Sequence, residues 1–230
     1  MIITSFNLRG LGGGPKYLAL RRFFTTHKLD ILLIQETMAS SRKACRLFLK
    51  LFPGWAVSAI DAQGNSGGLL SIWNPTLCDF EDFSSTDGLL LSGRIKGIDE
   101  DAMVLNVYGP YRDRDPFWDR LKGSGLLRVP NLIVAGDLNF NLSTSKVWGS
   151  STRDPLAGYF NSLITDVGLV DIQPIELSPT WRNGRVADSG IAKRLDRFLV
   201  SERLVNSLNK YRVWQEVSLI SNHVPIQIQS

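Results

Sequence analysis

Asn7, Glu36, Tyr108, Asp137 and Asn139 close strand-like hydrophobic runs of this chain, and Asp196 and His223 lie beside the start of two more. Strand ends are where a sheet delivers side chains to a shared cleft. Carboxylates, amides, a tyrosine and a histidine delivered together form the kit for cutting a phosphodiester with a divalent metal. Asp137 and Asn139 stand two apart in Gly136-Asp137-Leu138-Asn139, so on an extended backbone they project to one side. The carboxylate suits taking a proton from water, and the amide suits holding that water or a phosphate oxygen. The same four residues also suit an ordinary β-turn.

Glu36 ends the apolar run of Asp30 to Gln35. A buried, unpaired carboxylate is costly, so Glu36 needs a partner or a cation, and Mg²⁺ takes oxygen ligands from one or two carboxylates. Asn7 could orient Glu36 from behind, although capping a helix or turn would explain either residue. Asp196 and His223 are the most chemical pair. An aspartate fixes the imidazole tautomer and favours the cation, which could neutralise charge on a pentavalent phosphate. His223 precedes Val224-Pro225-Ile226, where a core histidine would also be at home, and His27 at a helix end reads as solvated.

Positioning these groups requires strands in quantity. Ile2–Asn7 alternates as a strand, Leu8 to Pro15 is a glycine-rich turn, and Lys16 to Lys28 has helical spacing with a basic outer face. Asp30 to Gln35 is a buried strand, and Ser41 to Phe52 is an amphipathic helix stopped by Pro53-Gly54. Short strands separated by turn residues follow at 55–60, 68–73, 77–83, 89–95 and 102–108. Pro116 to Leu127 and Ser151 to Val167 read as helices around a strand at Asn131 to Ala135. Strands at Thr180–Arg185, Arg194–Ser201, Tyr211–Val217 and Val224–Gln229, with a short helix near Glu202–Asn206, complete the chain. About ten strands and four helices, with no repeat or linker, predict one α/β domain over residues 1–230: two packed, mostly antiparallel sheets with helices on the outer faces.

The bulk properties narrow the function classes. With 43% hydrophobic and 21% charged residues over 230 positions, the chain is expected to fold with a substantial core. No apolar run approaches the roughly 20 residues that span a bilayer, and Met1-Ile2-Ile3-Thr4-Ser5-Phe6 runs into a strand pattern rather than a signal peptide. Cys45 and Cys78 read as small core fillers in a reduced, intracellular setting. The net charge is +4, and residues 182 to 212 hold eight Lys/Arg against three acids, so that segment carries +5 and the remainder −1. Such a concentration suits a polyanion or, equally, a solvated face.

Read in order, Ser5-Phe6-Asn7-Leu8-Arg9-Gly10-Leu11, Gln35-Glu36-Thr37, Asn106-Val107-Tyr108-Gly109-Pro110, Gly136-Asp137-Leu138-Asn139, Arg194-Leu195-Asp196 and Ser221-Asn222-His223-Val224-Pro225 resemble the endonuclease/exonuclease/phosphatase superfamily over essentially the whole chain. Within it the chain is most similar to the apurinic-type endonuclease domain of plant-like non-LTR (LINE-type) retrotransposons. Thr180-Trp181-Arg182-Asn183-Gly184-Arg185 and Arg194-Leu195-Asp196-Arg197-Phe198-Leu199-Val200-Ser201 carry that narrower likeness. The resemblance implies a four-layer α/β sandwich, a Mg²⁺ site (with Mn²⁺ as a substitute) and nicking of double-stranded DNA. It also implies a monomeric domain excised from a polyprotein, whose reverse transcriptase domain is primed by the nicked 3′-hydroxyl, working in the nucleus or cytoplasm. Carried over by motif, Glu36 is the principal metal ligand with Asn7 as its support, and Asp137 activates water. Asn139 positions the water or the phosphate, Tyr108 touches the phosphate, and Asp196 orients His223.

Two departures stand out. Arg9 lies where apurinic repair enzymes carry an acid, which argues against a dedicated abasic-site enzyme and for phosphate contact. Asn222 replaces the family's aspartate beside His223, so the site loses a negative charge. An engineered knock-out, a decayed copy and a working natural variant all stay open. By its likeness to the subgroup, the hairpin segment from Arg182 to Lys193 is expected to probe the DNA groove, although a plain surface hairpin would look the same. The expected DNA contacts are therefore Arg9, Thr180, Arg182, Arg185, Lys193 and Arg194, while Trp181 reads as core. Two other functions remain open: a catalytically silent DNA-binding domain of the same fold, and a phosphoesterase acting on a non-nucleic-acid substrate.

Overall fold

The computed structural model describes residues 1–64, 66–98, 100–143, 147–149, 154–185, 189–207, 210–218 and 220–230. In chain order the elements are β1 (Ile2–Asn7), α1 (Gly14–Thr26), β2 (Ile31–Gln35), α2 (Ser41–Leu51), β3 (Ala56–Gln63), β4 (Ser66–Trp73), β5 (Cys78–Ser84), β6 (Leu89–Ile95), β7 (Ala102–Tyr108), α3 (Arg114–Gly123), β8 (Leu132–Asp137), β9 (Val147–Gly149), α4 (Ala157–Asp166), β10 (Leu169–Ile172), β11 (Trp181–Arg182), β12 (Ile191–Lys193), β13 (Asp196–Ser201), α5 (Glu202–Ser207), β14 (Arg212–Gln215) and β15 (Ile226–Gln229).

Two sheets of six strands form the centre, in the orders β14-β15-β1-β2-β4-β3 and β10-β13-β8-β7-β6-β5. Strand alternation builds four layers from them. Ile3, Ile31 and Leu33 of the first sheet meet Val104, Ala135 and Phe198 of the second between the sheets. The residues in between point outward: Phe6, Leu32 and Ile34 pack under Leu20 and Phe24 of α1 and Phe48 of α2. Likewise Leu105, Val107, Val134 and Leu199 pack under Trp118 of α3 and Phe160 of α4. The result is the expected four-layer α/β sandwich. Each sheet contains one parallel pair, β1 with β2 and β7 with β8, among otherwise antiparallel neighbours.

Those two parallel pairs decide where chemistry can happen. Parallel strands end at the same edge, so Asn7 lies beside Gln35 and Tyr108 beside Asp137 in the ladders. Antiparallel β13 begins there, with Asp196 opposite Asp137. Gly136 in β8 has φ +151°, and a Cβ there would collide with the carbonyl oxygen of Val107, so a side chain would push Asp137 away from Tyr108.

Several sequence expectations are corrected. A third sheet, β11-β12-β9, takes up the start of the expected Thr180–Arg185 strand, which pairs only over Trp181–Arg182. The expected strand at Arg194 begins at Asp196, and β9 and β10 are too short for a periodic signal. The expected helix from Ser151 begins at Ala157, its residues 151–153 lying outside the described ones. His27 is not merely solvated: Nδ1 lies 2.8 Å from the Phe23 carbonyl and Nε2 lies 3.1 Å from Glu216 Oε2. Cys78 is buried and Cys45 half-buried, both free. No helix among the described residues is long and apolar enough to cross a membrane.

Candidate active site

The inward positions of five strands change character at this edge. Ser5 and Asn7 of β1, Gln35 of β2, Asn106 of β7, Asp137 of β8 and Asp196 of β13 are all buried. The apolar inter-sheet layer thus ends in a polar one. Its lower tier is a closed network. Gln35 Nε2 donates to Asn106 Oδ1 at 2.7 Å, and Asn106 Nδ2 reaches the Ile34 and Leu70 carbonyls. Buried amides satisfied on every side lock both sheets in register beneath the upper tier.

The upper tier carries the charge. Asn7 Nδ2 donates to both Glu36 Oε1 and Asp137 Oδ2, each at 2.9 Å, while its Oδ1 accepts the Arg9 backbone N–H. Asn7 therefore turns its donor to the carboxylates and orients them, while its oxygen holds the Arg9 N–H. His223 Nδ1 lies 2.9 Å from Asp196 Oδ2, and Nε2 lies 3.7 Å from Asp137 Oδ2. Asp137 Oδ1 accepts the Asn139 backbone N–H, and Asn139 Nδ2 donates to the Gly109 carbonyl. The second oxygen of Asp196 is buried and has no hydrogen-bond partner among the described residues.

Proton affinities follow from this crowding. Burial, then the charge of Asp196, raises the Asp137 carboxyl to about 7 against the pull of His223, Asn7 and the Asn139 amide. Burial lowers His223, but Asp196, then Asp137 and Glu36, outweigh it and raise the imidazole to about 8. Burial and the neighbouring Glu36 push the Tyr108 phenol well up, so it stays a donor.

Asp137, Asp196 and His223 bring ligand atoms within 4.8 Å of one another. A protonated imidazole is no ligand, so the donors that fit a hard divalent cation are carboxylate oxygens, and the Asn7 amide brings those of Glu36 and Asp137 together. The orphaned Asp196 oxygen and the single nitrogen shared by Glu36 and Asp137 both point to missing positive charge.

Backbone strain marks the same edge. Arg9, Glu36, Met38 and Asn139 all have φ between +48° and +52°, a left-handed region that non-glycine residues seldom occupy. The turn after each strand thereby swings Glu36 and Asn139 toward the cleft instead of continuing the pleat.

The cleft encloses about 490 Å³ and is lined by Arg9, Glu36, Tyr108, Asp137, Asn139, Trp181, Lys193 and His223, with Tyr111, Arg114, Asn141 and Asp154. The last four had no sequence signal beyond the Pro110-Tyr111 loop following a strand end. Arg114 holds Asp154 through two 2.7 Å bonds and donates to the Asn139 carbonyl, fixing that wall; Tyr111 is 81% exposed at the rim. Trp181, expected in the core, is half-buried and faces the cleft.

The expected DNA contacts divide. Arg9 and Lys193 line the cleft, and Arg182 and Arg185 are exposed on the third sheet and its loop, whose residues 186–188 lie outside the described ones. Thr180 and Arg194 do not face outward, and their assignment as DNA contacts is corrected. Thr180 Oγ1 accepts the backbone N–H groups of Leu195 and Asp196, which sets Asp196 in place. Arg194 is 2% exposed and forks onto Asp171 at 2.7 and 2.8 Å. Asn222 does not line the cleft. Its Nδ2 donates to the Arg182 carbonyl, and its own carbonyl accepts the Arg182 N–H, so it fastens β11 beside His223.

The sequence profile of the Endonuclease/Exonuclease/phosphatase family matches residues 4–223, which span every one of these groups. The chain belongs to that family. Among solved structures, this family member is similar to an AP endonuclease from Leishmania major (18% identity, 99% of this chain and 86% of that one, TM-score 0.76). It is likewise similar to the endonuclease domain of TRAS1, a telomere-specific non-LTR retrotransposon (19% identity, 99% and 96%, TM-score 0.70). A third is a 3′ phosphatase from Neisseria bound to a product DNA hairpin (19% identity, 100% and 98%, TM-score 0.74). A search of the curated proteins finds no match.

Proposed function

We propose that the chain is a Mg²⁺-dependent endonuclease that nicks double-stranded DNA and leaves a 3′-hydroxyl. We further propose that it serves a plant-like, LINE-type element as one domain of a polyprotein, a monomer inside the cell that supplies the primer for a reverse transcriptase domain. The observation that carries the reading is the buried Glu36–Asn7–Asp137–His223–Asp196 chain opening into a cleft with Arg9 and Lys193 on its walls. The neighbours named as an AP endonuclease, a retrotransposon endonuclease and an enzyme with bound DNA support the choice of DNA over a small phosphoester.

Each step is assigned to a side chain. Asp137, with its carboxyl near neutrality, takes a proton from the attacking water, the range in which a general base works best. As water adds to phosphorus, the P–O3′ bond breaks and the departing 3′-oxygen takes a proton from solvent to leave as the hydroxyl. His223, held cationic by Asp196, lies 3.7 Å from Asp137 and offers charge to the non-bridging oxygens. The raised phenol of Tyr108 keeps its proton to donate to phosphate, while Asn7 and Asn139 hold the carboxylates and the turn. Mg²⁺ would be held by Glu36, which Asn7 orients, and would neutralise charge building on the phosphate.

The test is relaxation of supercoiled plasmid with Mg²⁺. Nicked circles whose ends a DNA polymerase extends directly are expected, with loss of nicking on chelation and in Glu36→Ala. Full nicking by Glu36→Ala, or ends that need dephosphorylation before extension, would overturn the assignment.

A further inference from the structure

We propose that the groove between α1 and α2 is a second nucleic-acid site, one that holds a single strand by its phosphate backbone. The groove, of about 310 Å³, shares no lining residue with the cleft. Lys43, Arg46 and Lys50 of α2 form one wall, Tyr17 of α1 and the glycines of the preceding turn form the other, and Leu11 and Leu47 form the floor.

Charge is the first support. Residues 1–52 contain nine Lys/Arg against only Asp30 and Glu36, a balance of +7 that exceeds the +4 of the whole chain. Lys43, Arg46 and Lys50 are exposed, and none makes an ion pair among the described residues. At positions i, i+3 and i+7 they share one helix face. They span roughly 10 Å of helix axis, about three phosphate-to-phosphate steps along one stacked strand.

The second support is the groove's aromatic and apolar content. Tyr17 is half-buried and lines the groove, and Leu11 is a buried member of the same lining. Cations that follow a backbone beside an aromatic face are what an unpaired strand needs, because its bases are free to stack. A duplex would present only its phosphates and gain nothing from Tyr17. Position is the third support. Gly10 and Leu11 donate their backbone N–H groups to the Glu36 and Thr37 carbonyls, so the turn that forms one groove wall is fastened to the strand end bearing Glu36. Arg9 of the cleft stands two residues before Leu11 of the groove, so a single turn joins the two linings.

Fluorescence anisotropy with a short labelled single-stranded oligonucleotide and with a duplex of the same sequence tests the proposal. The Lys43→Gln/Arg46→Gln/Lys50→Gln variant is expected to bind the single strand about tenfold more weakly and to lower its log–log salt slope by about 2. Tyr17→Ala is expected to weaken the single strand about tenfold while leaving the duplex unchanged. Lys43→Arg/Lys50→Arg should bind as the parent does, which separates charge from folding. Unchanged single-strand affinity in the triple variant overturns the proposal, as does a loss confined to duplex. Groove-dependent binding without plasmid nicking would leave the groove standing and sink the nuclease reading. Nicking with no groove dependence would do the reverse.

Discussion

On the inner face of the second sheet Asp196 meets His223 and Asp137; one residue along, on the outer face, Arg197 meets Asp171 and Arg194. Both clusters are buried and both are unbalanced, the inner toward negative charge and the outer toward positive. The outer imbalance is absorbed within the protein. Asp171 takes two bonds from Arg194 and one from Arg197, while the Ile172, Phe140 and Arg194 carbonyls accept others. The Arg197 guanidinium also lies 5.3 Å from the Phe140 ring centre, and its Nε alone lacks a partner among the described residues. Nothing comparable covers the inner cluster. It keeps an orphaned carboxylate oxygen, a carboxyl raised to about 7 and a cleft in front of it. Buried charge completed by backbone and partner is framework; buried charge left incomplete beside an opening is a site.

Breaking each cluster should separate the two roles. Asp137→Asn is expected to lower the nicking rate by about three orders of magnitude, as for loss of a general base. It should also melt no lower than the parent at pH 8. The folded carboxyl holds its proton up to about 7 whereas the unfolded one releases it near pH 4, so ionising Asp137 costs stability over that window and an amide escapes the cost. Parental activity in this variant would erase the distinction. Asp171→Ala reverses the pattern: leaving two guanidinium groups buried should cost about 3–5 kcal/mol in denaturant unfolding. Its activity per folded molecule should stay close to the parent's.

A pH series sharpens the inner cluster. His223 is raised from 6.5 to about 8, so its contribution is fully present below pH 6.5 and lost as pH rises through 8. The melting temperature should fall across that window by the equivalent of about 2 kcal/mol, and His223→Ala should flatten the fall. An equally steep fall in the variant would place the titrating group elsewhere. The smallest effect concerns Asn222→Asp. A carboxylate cannot donate to the Arg182 carbonyl, so the hairpin anchor weakens, while no cleft-lining group changes. Nicking is expected to change by less than tenfold. A gain well beyond tenfold would mean that Asn222 is an inactivating substitution after all.

Much of the inner cluster was legible in sequence, because strand alternation and strand ends are local patterns. Asn7, Glu36, Tyr108, Asp137 and Asn139 stand where apolar runs stop, and a stopped run is visible without a fold. The outer cluster was not. Arg194 and Thr180 looked like a basic, DNA-facing stretch, since residue type shows charge but not burial, and their partners Asp171 and Asp196 are assigned only by the ladders of β13 with β10 and β8. Arg114 and Asp154 joined the cleft wall for the same reason, meeting across forty positions. The basic groove is not legible in sequence, because the positive charge of residues 1–52 is offset by acids later in the chain, and only folding gathers α1 and α2 onto one face.

By itself, then, the sequence determined the layers, the strands and the residue types that close them, through the period of alternation and the position where each run ends. Tertiary structure decided which of those polar groups share a proton, which are sealed as framework and which way Asn7 and Asn222 turn their amides. Those outcomes depend on distances of about three ångströms between residues far apart in the chain, set by register, by left-handed turns and by burial, and no local pattern encodes them.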